Sequence, residues 1–218
     1  MPMQDLKEIE HKIGYVFKNS ELLKTALTHS SYAHQTDEES YERFEFLGDA
    51  IMSYIVALEI FKKNPGKNEQ FLTELKSAYV NKNFLQKLGK ELGLQHCIRK
   101  IGLSEPRLDQ AVEALVAAIY LDGGYYKAKR FIKKFILGKP VKPLQDYKNL
   151  LKSFVSEKFN KDIRYKLEKE SGPPHDRIFQ ISVSIPGEKY FARATGKSKK
   201  EAELKASGLL LKKIQKEG

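Results

Sequence analysis

Residues 42–58, ERFEFLGDAIMSYIVAL, decide how the first half of this chain folds. From Phe44 to Leu58 the stretch is almost entirely apolar or small, and no period-two alternation runs through it. Such a sequence predicts a helix buried over most of its circumference. Yet it carries Glu45 and Asp49, four residues apart and therefore on one face, with Glu42 on the same side. Carboxylates set against a core are costly unless a cation or hydrogen-bond donors compensate them. Gly48 gives up about 1 kcal/mol of helix propensity relative to alanine. Its presence predicts that another element packs close to it.

A second helix of this kind, LDQAVEALVAAIY from Leu108 to Tyr120, carries Glu113 in equally apolar surroundings. Carboxylates converging from two helices suit a hard ion such as Mg²⁺, which takes oxygen ligands and keeps room for water and phosphate. The same spacing fits acids paired with bases such as Arg43, or acids at solvated helix edges. Spacing suggests a site without naming it.

Around these two helices the first half reads as helix after helix. Glu21–His29, Glu42–Lys62, Leu72–Leu92 and Leu108–Tyr120 repeat apolar residues at helical spacing. Breaks are expected at Asn64-Pro65-Gly66, Ser104-Glu105-Pro106 and Asp122-Gly123-Gly124. The pattern stops at Leu137, and the basic, twice-proline stretch 138–144 predicts a linker. Beyond it Tyr147–Phe159 reads as a helix. Ile163–Leu167, Phe179–Ile185 and Tyr190–Ala194 alternate as half-buried strands do, and Lys199–Ile214 closes with a helix. The expected fold is an all-α domain over 1–137, a linker over 138–144 and a small α+β (α-β-β-β-α) domain over 145–218.

Composition narrows the function classes. The 218 residues are 41% hydrophobic, an ordinary globular share, and no apolar run approaches the roughly 20 residues that cross a bilayer. The start, MPMQDLKEIEHKIGY, lacks an apolar signal core. Cys97 is the sole cysteine, which leaves no intrachain disulfide and no thiolate metal cluster. His11, His29, His34 and His96 have no zinc spacing. A cytoplasmic protein without membrane or zinc is expected. The net charge of +11 is unevenly placed: residues 145–218 hold 17 Lys+Arg against 10 Asp+Glu, the rest 22 against 18. The excess in the last third suggests a polyanion-binding module.

The run Glu42-Arg43-Phe44-Glu45-Phe46-Leu47-Gly48-Asp49-Ala50 closely resembles the signature of the ribonuclease III family. Supporting blocks follow the family's order: Ala26-Leu27-Thr28-His29-Ser30-Ser31-Tyr32, Glu69 with Leu72-Thr73-Glu74-Leu75-Lys76-Ser77, Val112-Glu113-Ala114-Leu115, and Ala117-Ala118-Ile119-Tyr120-Leu121-Asp122-Gly123-Gly124. The resemblance implies that Glu45, Asp49 and Glu113 hold Mg²⁺, with Mn²⁺ able to substitute. It also implies that Glu42 and Glu69 lie in the cleavage valley and near the metal. The family has an Asp three residues before the Glu matched by Glu113; here that position is Gln110, a poorer ligand, and Asp109 sits one residue earlier. Asp109 substituting, Gln110 acting through a water, and an exchange that disables cutting all stay open. The connection from Ile98 to Leu108 also lacks the family's Gly-rich basic loop.

The last third resembles a double-stranded-RNA-binding domain. The matching features are the helix start at Asp146–Lys152, the turn Gly172-Pro173-Pro174-His175 between the first two strands, and Gly196-Lys197-Ser198-Lys199-Lys200 opening the last helix. Lys152 and Ser153 stand where the family commonly has Gln and Glu. Lys197, Lys199 and Lys200 would bridge phosphates across the narrow major groove of duplex RNA. Lys148 and Lys152 on the first helix, with the Gly172–His175 turn, would meet successive minor grooves over roughly 16 bp. Lysines at a helix N-terminus oppose its dipole, which a polyanion partner explains better than local stability does.

The resemblance implies a Mg²⁺-dependent endoribonuclease acting on double-stranded RNA as a homodimer. The expected products carry 5′-phosphate and 3′-hydroxyl ends with short 3′ overhangs, and the expected substrates are ribosomal RNA precursors and structured messenger RNA. Gln110 and the shortened connection motivate an alternative, a duplex-RNA binder or ribosome-assembly factor with a degenerate nuclease domain. A DNA-binding regulator finds no helix-turn-helix pattern to support it.

Overall fold

The computed structural model describes residues 3–102, 105–143, 146–173 and 176–217, and divides into two compact units, Met1–Leu144 and Gln145–Gly218. The first unit is helical: α1 Met3–Ile13, α2 Ser20–Ala26, α3 Ser30–Thr36, α4 Glu42–Lys63, α5 Glu69–Val80, α6 Lys82–Glu91 and α7 Leu108–Phe135. A short 3₁₀ turn, Leu94–His96, follows α6.

Helices α4 and α7 form the centre of this unit. Met52, Ile55 and Val56 of α4 are fully buried, as is every residue of α7 from Ala114 to Ile119. The alanines let the two backbones approach closely. A Cβ built on Gly48 would lie 1.8 Å from the Glu113 carbonyl oxygen, which accounts for the glycine in an otherwise favourable helix.

Three boundaries differ from the sequence expectation, each for a local reason. The periodic stretch Leu72–Leu92 is two helices, because Asn81 leaves helical geometry at ψ 151° and accepts the Phe84 N–H at 3.0 Å as the α6 cap. Its Nδ2 also donates to the Ala78 carbonyl at 2.8 Å, closing α5. The expected break at Asp122-Gly123-Gly124 is a kink inside α7, where Gly124 takes φ 73° and the helix resumes to Phe135. The helix expected over Glu21–His29 stops at Ala26, and Thr28 instead pairs with Arg99 in an isolated parallel bridge.

Two helices were not expected. α1 mixes acids and bases but buries Ile9 and Ile13, and α3 is a short polar turn begun by His29, whose Nδ1 accepts the Ser31 N–H at 3.1 Å. Asp122 then ties the chain between α1 and α2 to α7. Its carboxylate accepts Tyr15 Oη at 2.5 Å and the backbone N–H groups of Lys18 and Asn19 at 3.0 and 2.9 Å. Glu59, 6% exposed on α4, is neutralised by Lys129 and Lys133 of α7 at 2.8 and 3.4 Å.

The second unit follows the expected order: α8 Tyr147–Phe159, β1 Arg164–Ser171, β2 Ile178–Ser184, β3 Phe191–Gly196 and α9 Lys199–Glu217. The strands form one antiparallel sheet in the order β1-β2-β3, with a register shift between Leu167 and Lys169. Period-two burial places Val183 and Ile185 against Leu151 and Val155 of α8 and Ala206, Leu210 and Ile214 of α9. The hydroxyls of Tyr165 and Ser207 meet at 2.6 Å, so the polar atoms in that layer are satisfied.

Candidate active site and RNA-binding surface

The first two turns of α4 and α7 bring Glu113 within the field of Glu45 and Asp49. Burial, then the charges of Asp49 and Glu45, push the Glu113 carboxyl up to about 7. Glu113 and Glu45 are half-buried and Asp49 is exposed, so the group opens to solvent on the Asp49 side. Among the described residues, no group of three or more His, Cys, Asp or Glu side chains is arranged as a ready metal cage. The donor chemistry nevertheless suits a hard divalent cation. Oxygen acids from two helices repel one another there, and a cation is the partner that would relieve the repulsion.

The structure separates the two side chains between which spacing could not choose. Asp109 is 5% exposed and bound in two-pronged fashion by Arg107, Nε to Oδ1 at 3.0 Å and a terminal nitrogen to Oδ2 at 2.7 Å. Asp109 is therefore paired with Arg107, while its charge still bears on Glu113. Gln110 turns into the site. Its Nε2 donates to Glu45 Oε1 at 2.7 Å, and its Oε1 accepts the Tyr41 hydroxyl at 3.2 Å. Burial and the nearby Glu45 charge push the Tyr41 hydroxyl up to about 12.

Glu42 is exposed and lines a groove with Glu39, Arg43 and Phe46. Glu69 opens α5 and accepts the Thr73 hydroxyl at 2.8 Å. Sequence inspection missed Tyr41 and Arg107. Both flank the motif acids directly, and a ring next to Glu42 or a base two residues before Asp109 was the available signal.

In the second unit, the turn after β1 and the start of α9 are adjacent. Gly172 takes φ 94°, and a Cβ there would lie 2.4 Å from the Asp176 carbonyl oxygen. Lys197 reaches Asp176 at 3.4 Å and Lys199 lies 5.8 Å from the Phe179 ring centre. Lys197, Lys199, Lys200 and Lys152 are exposed. His175 lies outside the described residues. Lys148 is held more closely than Lys197: it pairs with Glu203 at 2.7 Å and packs over the Tyr165 ring.

Comparison with known proteins agrees with both units. A Ribonuclease-III-like family model matches residues 19–140, and a double-stranded RNA binding motif matches residues 147–214. Ribonuclease 3 of Borreliella afzelii is 36% identical over 228 residues, covering 96% of this chain and 91% of that protein. Ribonuclease 3 of Aquifex aeolicus is 35% identical over 223 residues, covering 98% and 99%. The solved nuclease domain of ribonuclease III from Campylobacter jejuni superposes with a TM-score of 0.57 at 30% identity, over 61% of this chain and 96% of that one.

A helical nuclease unit followed by a duplex-RNA-binding unit defines an endoribonuclease, a hydrolase of double-stranded RNA. The relatives share its length as well as its two parts. The chain belongs to the ribonuclease III family, in the bacterial form with one nuclease and one RNA-binding domain.

Proposed function

We propose that Glu45, Asp49 and Glu113 hold Mg²⁺ at the α4–α7 seam and that the chain cuts both strands of duplex RNA, leaving 5′-phosphate and 3′-hydroxyl ends. The observation that carries this is the half-buried Glu113 facing Glu45 and Asp49: burial first, then those two charges, lift its carboxyl to about 7. When bound there, Mg²⁺ (or Mn²⁺) supplies activation of a water and stabilisation of the leaving 3′-oxygen. The protein's own groups do the rest. Gln110 steadies Glu45 by a direct hydrogen bond, and Arg107 pairs with Asp109. Lys197, Lys199 and Lys200 hold the duplex by its phosphates, reading shape with little sequence choice.

Homodimerisation fits the surface of the first unit. Phe46 is 81% exposed and Leu121 49%, beside a groove of 750 Å³ that Leu22, Phe44 and Leu47 also line. An apolar face of this kind needs covering, and a second copy related by two-fold symmetry would give each RNA strand its own site. The nuclease domain from Campylobacter is described as having a region involved in dimer formation. Ribosomal RNA precursors and structured messenger RNA in the cytoplasm are the substrates this reading favours. No helix among the described residues is long and apolar enough to cross a membrane.

Gln110 favours a second reading, a duplex-RNA binder that does not cut. Incubating the purified chain with a long RNA duplex and Mg²⁺ separates the two. Cutting that disappears in Glu113→Ala supports the enzyme; retardation of the duplex without cutting supports the binder.

A further inference from the structure

We infer that Tyr41 and Gln110 form a neutral brace that fixes the Glu45 carboxylate, so that Gln110 positions a metal ligand without being one. The inference rests on the cation site proposed above and adds two positioning residues to it.

Hydrogen-bond valence sets the direction of the brace. The Glu45 carboxylate can only accept, so the Gln110 amide must present its NH₂ group to it, as it does at 2.7 Å. The amide oxygen then faces the other way, where the Tyr41 hydroxyl donates to it at 3.2 Å. That oxygen is the atom of the glutamine side chain suited to a hard cation, and it faces Tyr41, away from Glu45, with one of its two lone pairs taken by the hydroxyl.

Tyr41 is a firm anchor. The residue is 2% exposed, and its ring meets His29 edge-on at 5.7 Å. Its backbone N–H donates to the Thr28 carbonyl at 2.8 Å, and its carbonyl accepts the Glu45 N–H at 2.7 Å. Tyr41 and Glu45 therefore lie one turn apart at the start of α4, and Gln110 of α7 closes the loop between their side chains. A carboxylate at position 110 would add a further negative charge beside Glu45. The amide instead gives Glu45 a donor and one fixed orientation, which is how groups behind a ligand tune a metal site.

Tyr41→Phe and Gln110→Met, singly and together in the full chain, test the brace. Mn²⁺ binding is measured without RNA, from the electron paramagnetic resonance signal of the free ion. The Mg²⁺ dependence of duplex cleavage is followed in parallel. Each single variant is expected to weaken Mn²⁺ binding about tenfold and to raise the half-saturating Mg²⁺ equally, with the rate at saturating Mg²⁺ largely restored. Because both changes break one chain of bonds, the double variant should bind no more weakly than the weaker single one. If Tyr41→Phe leaves Mn²⁺ binding unchanged or tightens it while Gln110→Met abolishes it, the amide oxygen is a ligand and the brace is overturned. Should Tyr41→Phe fail to fold, Gln110→Met decides alone: cutting recovered at high Mg²⁺ upholds the brace, and cutting lost at every concentration overturns it. An unaltered chain that binds no Mn²⁺ overturns the cation site itself, an outcome distinct from either of these.

Discussion

Replacing Gly48 by alanine sets two energies of opposite sign against each other. Inside a helix, alanine is favoured over glycine by about 1 kcal/mol, so on propensity alone Gly48→Ala should stabilise the protein. The structure predicts the reverse. The new methyl would lie 1.8 Å from the Glu113 carbonyl oxygen, whereas ordinary contact begins at 3.4 Å. Helices α4 and α7 would have to part by about 1.6 Å, the shortfall between those distances, where the two backbones come closest. Overpacking against side chains that can turn aside costs roughly 1–3 kcal/mol. Here the obstacle is backbone, so the upper end applies and the net loss is about 2 kcal/mol. For a unit of this size that lowers the melting midpoint by roughly 4–8 °C, measurable by circular dichroism. Cutting should fall further than stability does, because the residue pushed aside is Glu113. A Gly48→Ala chain that melts at or above the parent temperature would show that the close approach of α4 and α7 is wrong.

Two further outcomes follow from particular contacts. The Arg99 guanidinium, helped by Lys24, holds the Glu38 carboxyl at about 2, well below its unfolded value near 4.3. The folded state thus releases a proton that the unfolded state keeps, and this contribution to stability, whole above about pH 4.3, is lost as pH falls toward 2. Acid unfolding followed by fluorescence should have a shallower slope across that window in Glu38→Gln; an unchanged slope would assign the acid transition to other groups. In the second unit, exchanging Lys197, Lys199 and Lys200 for glutamine should weaken duplex RNA binding and flatten its dependence on log salt by roughly two to three units. Retardation assays across a salt series measure this, and a slope matching the parent's would remove these lysines from the interface.

The elements legible in the sequence were those whose own composition contained a conflict. Acids on apolar helices marked α4 and α7, and a glycine in a helix with no turn to make marked the place where the two meet. In the last third, period-two alternation located all three strands to within a few residues, because one sheet face is covered by helices and the other is not. What could not be read was fixed by partners distant in sequence. Glu59 looks like one more helix-surface acid until Lys129 and Lys133 close over it. Asp122 looks like part of a break until Tyr15 and the backbone before α2 bind it. Asn81 was hidden by apolar periodicity on both sides, although an asparagine able to end one helix and begin the next was the available clue.

The choice between Asp109 and Gln110 shows where spacing stops being informative. Adjacent residues on a helix are rotated by about 100°, so either could face the α4 acids if α7 turned slightly about its axis. What fixes the rotation is packing: Leu108, Ala111, Val112 and Leu115 are all essentially fully buried and must stay so. With that face set, Asp109 is carried toward Arg107 and Gln110 toward Glu45. The apolar residues thus choose which polar one enters the site. A carboxylate at position 110 would sit beside three acids already in mutual repulsion, whereas the amide meets Glu45 as a donor. The exchange lowers the repulsion that the α4–α7 packing must withstand and, by the same step, the negative potential that would attract a cation. Stability without metal and affinity for metal are therefore opposed at this one side chain.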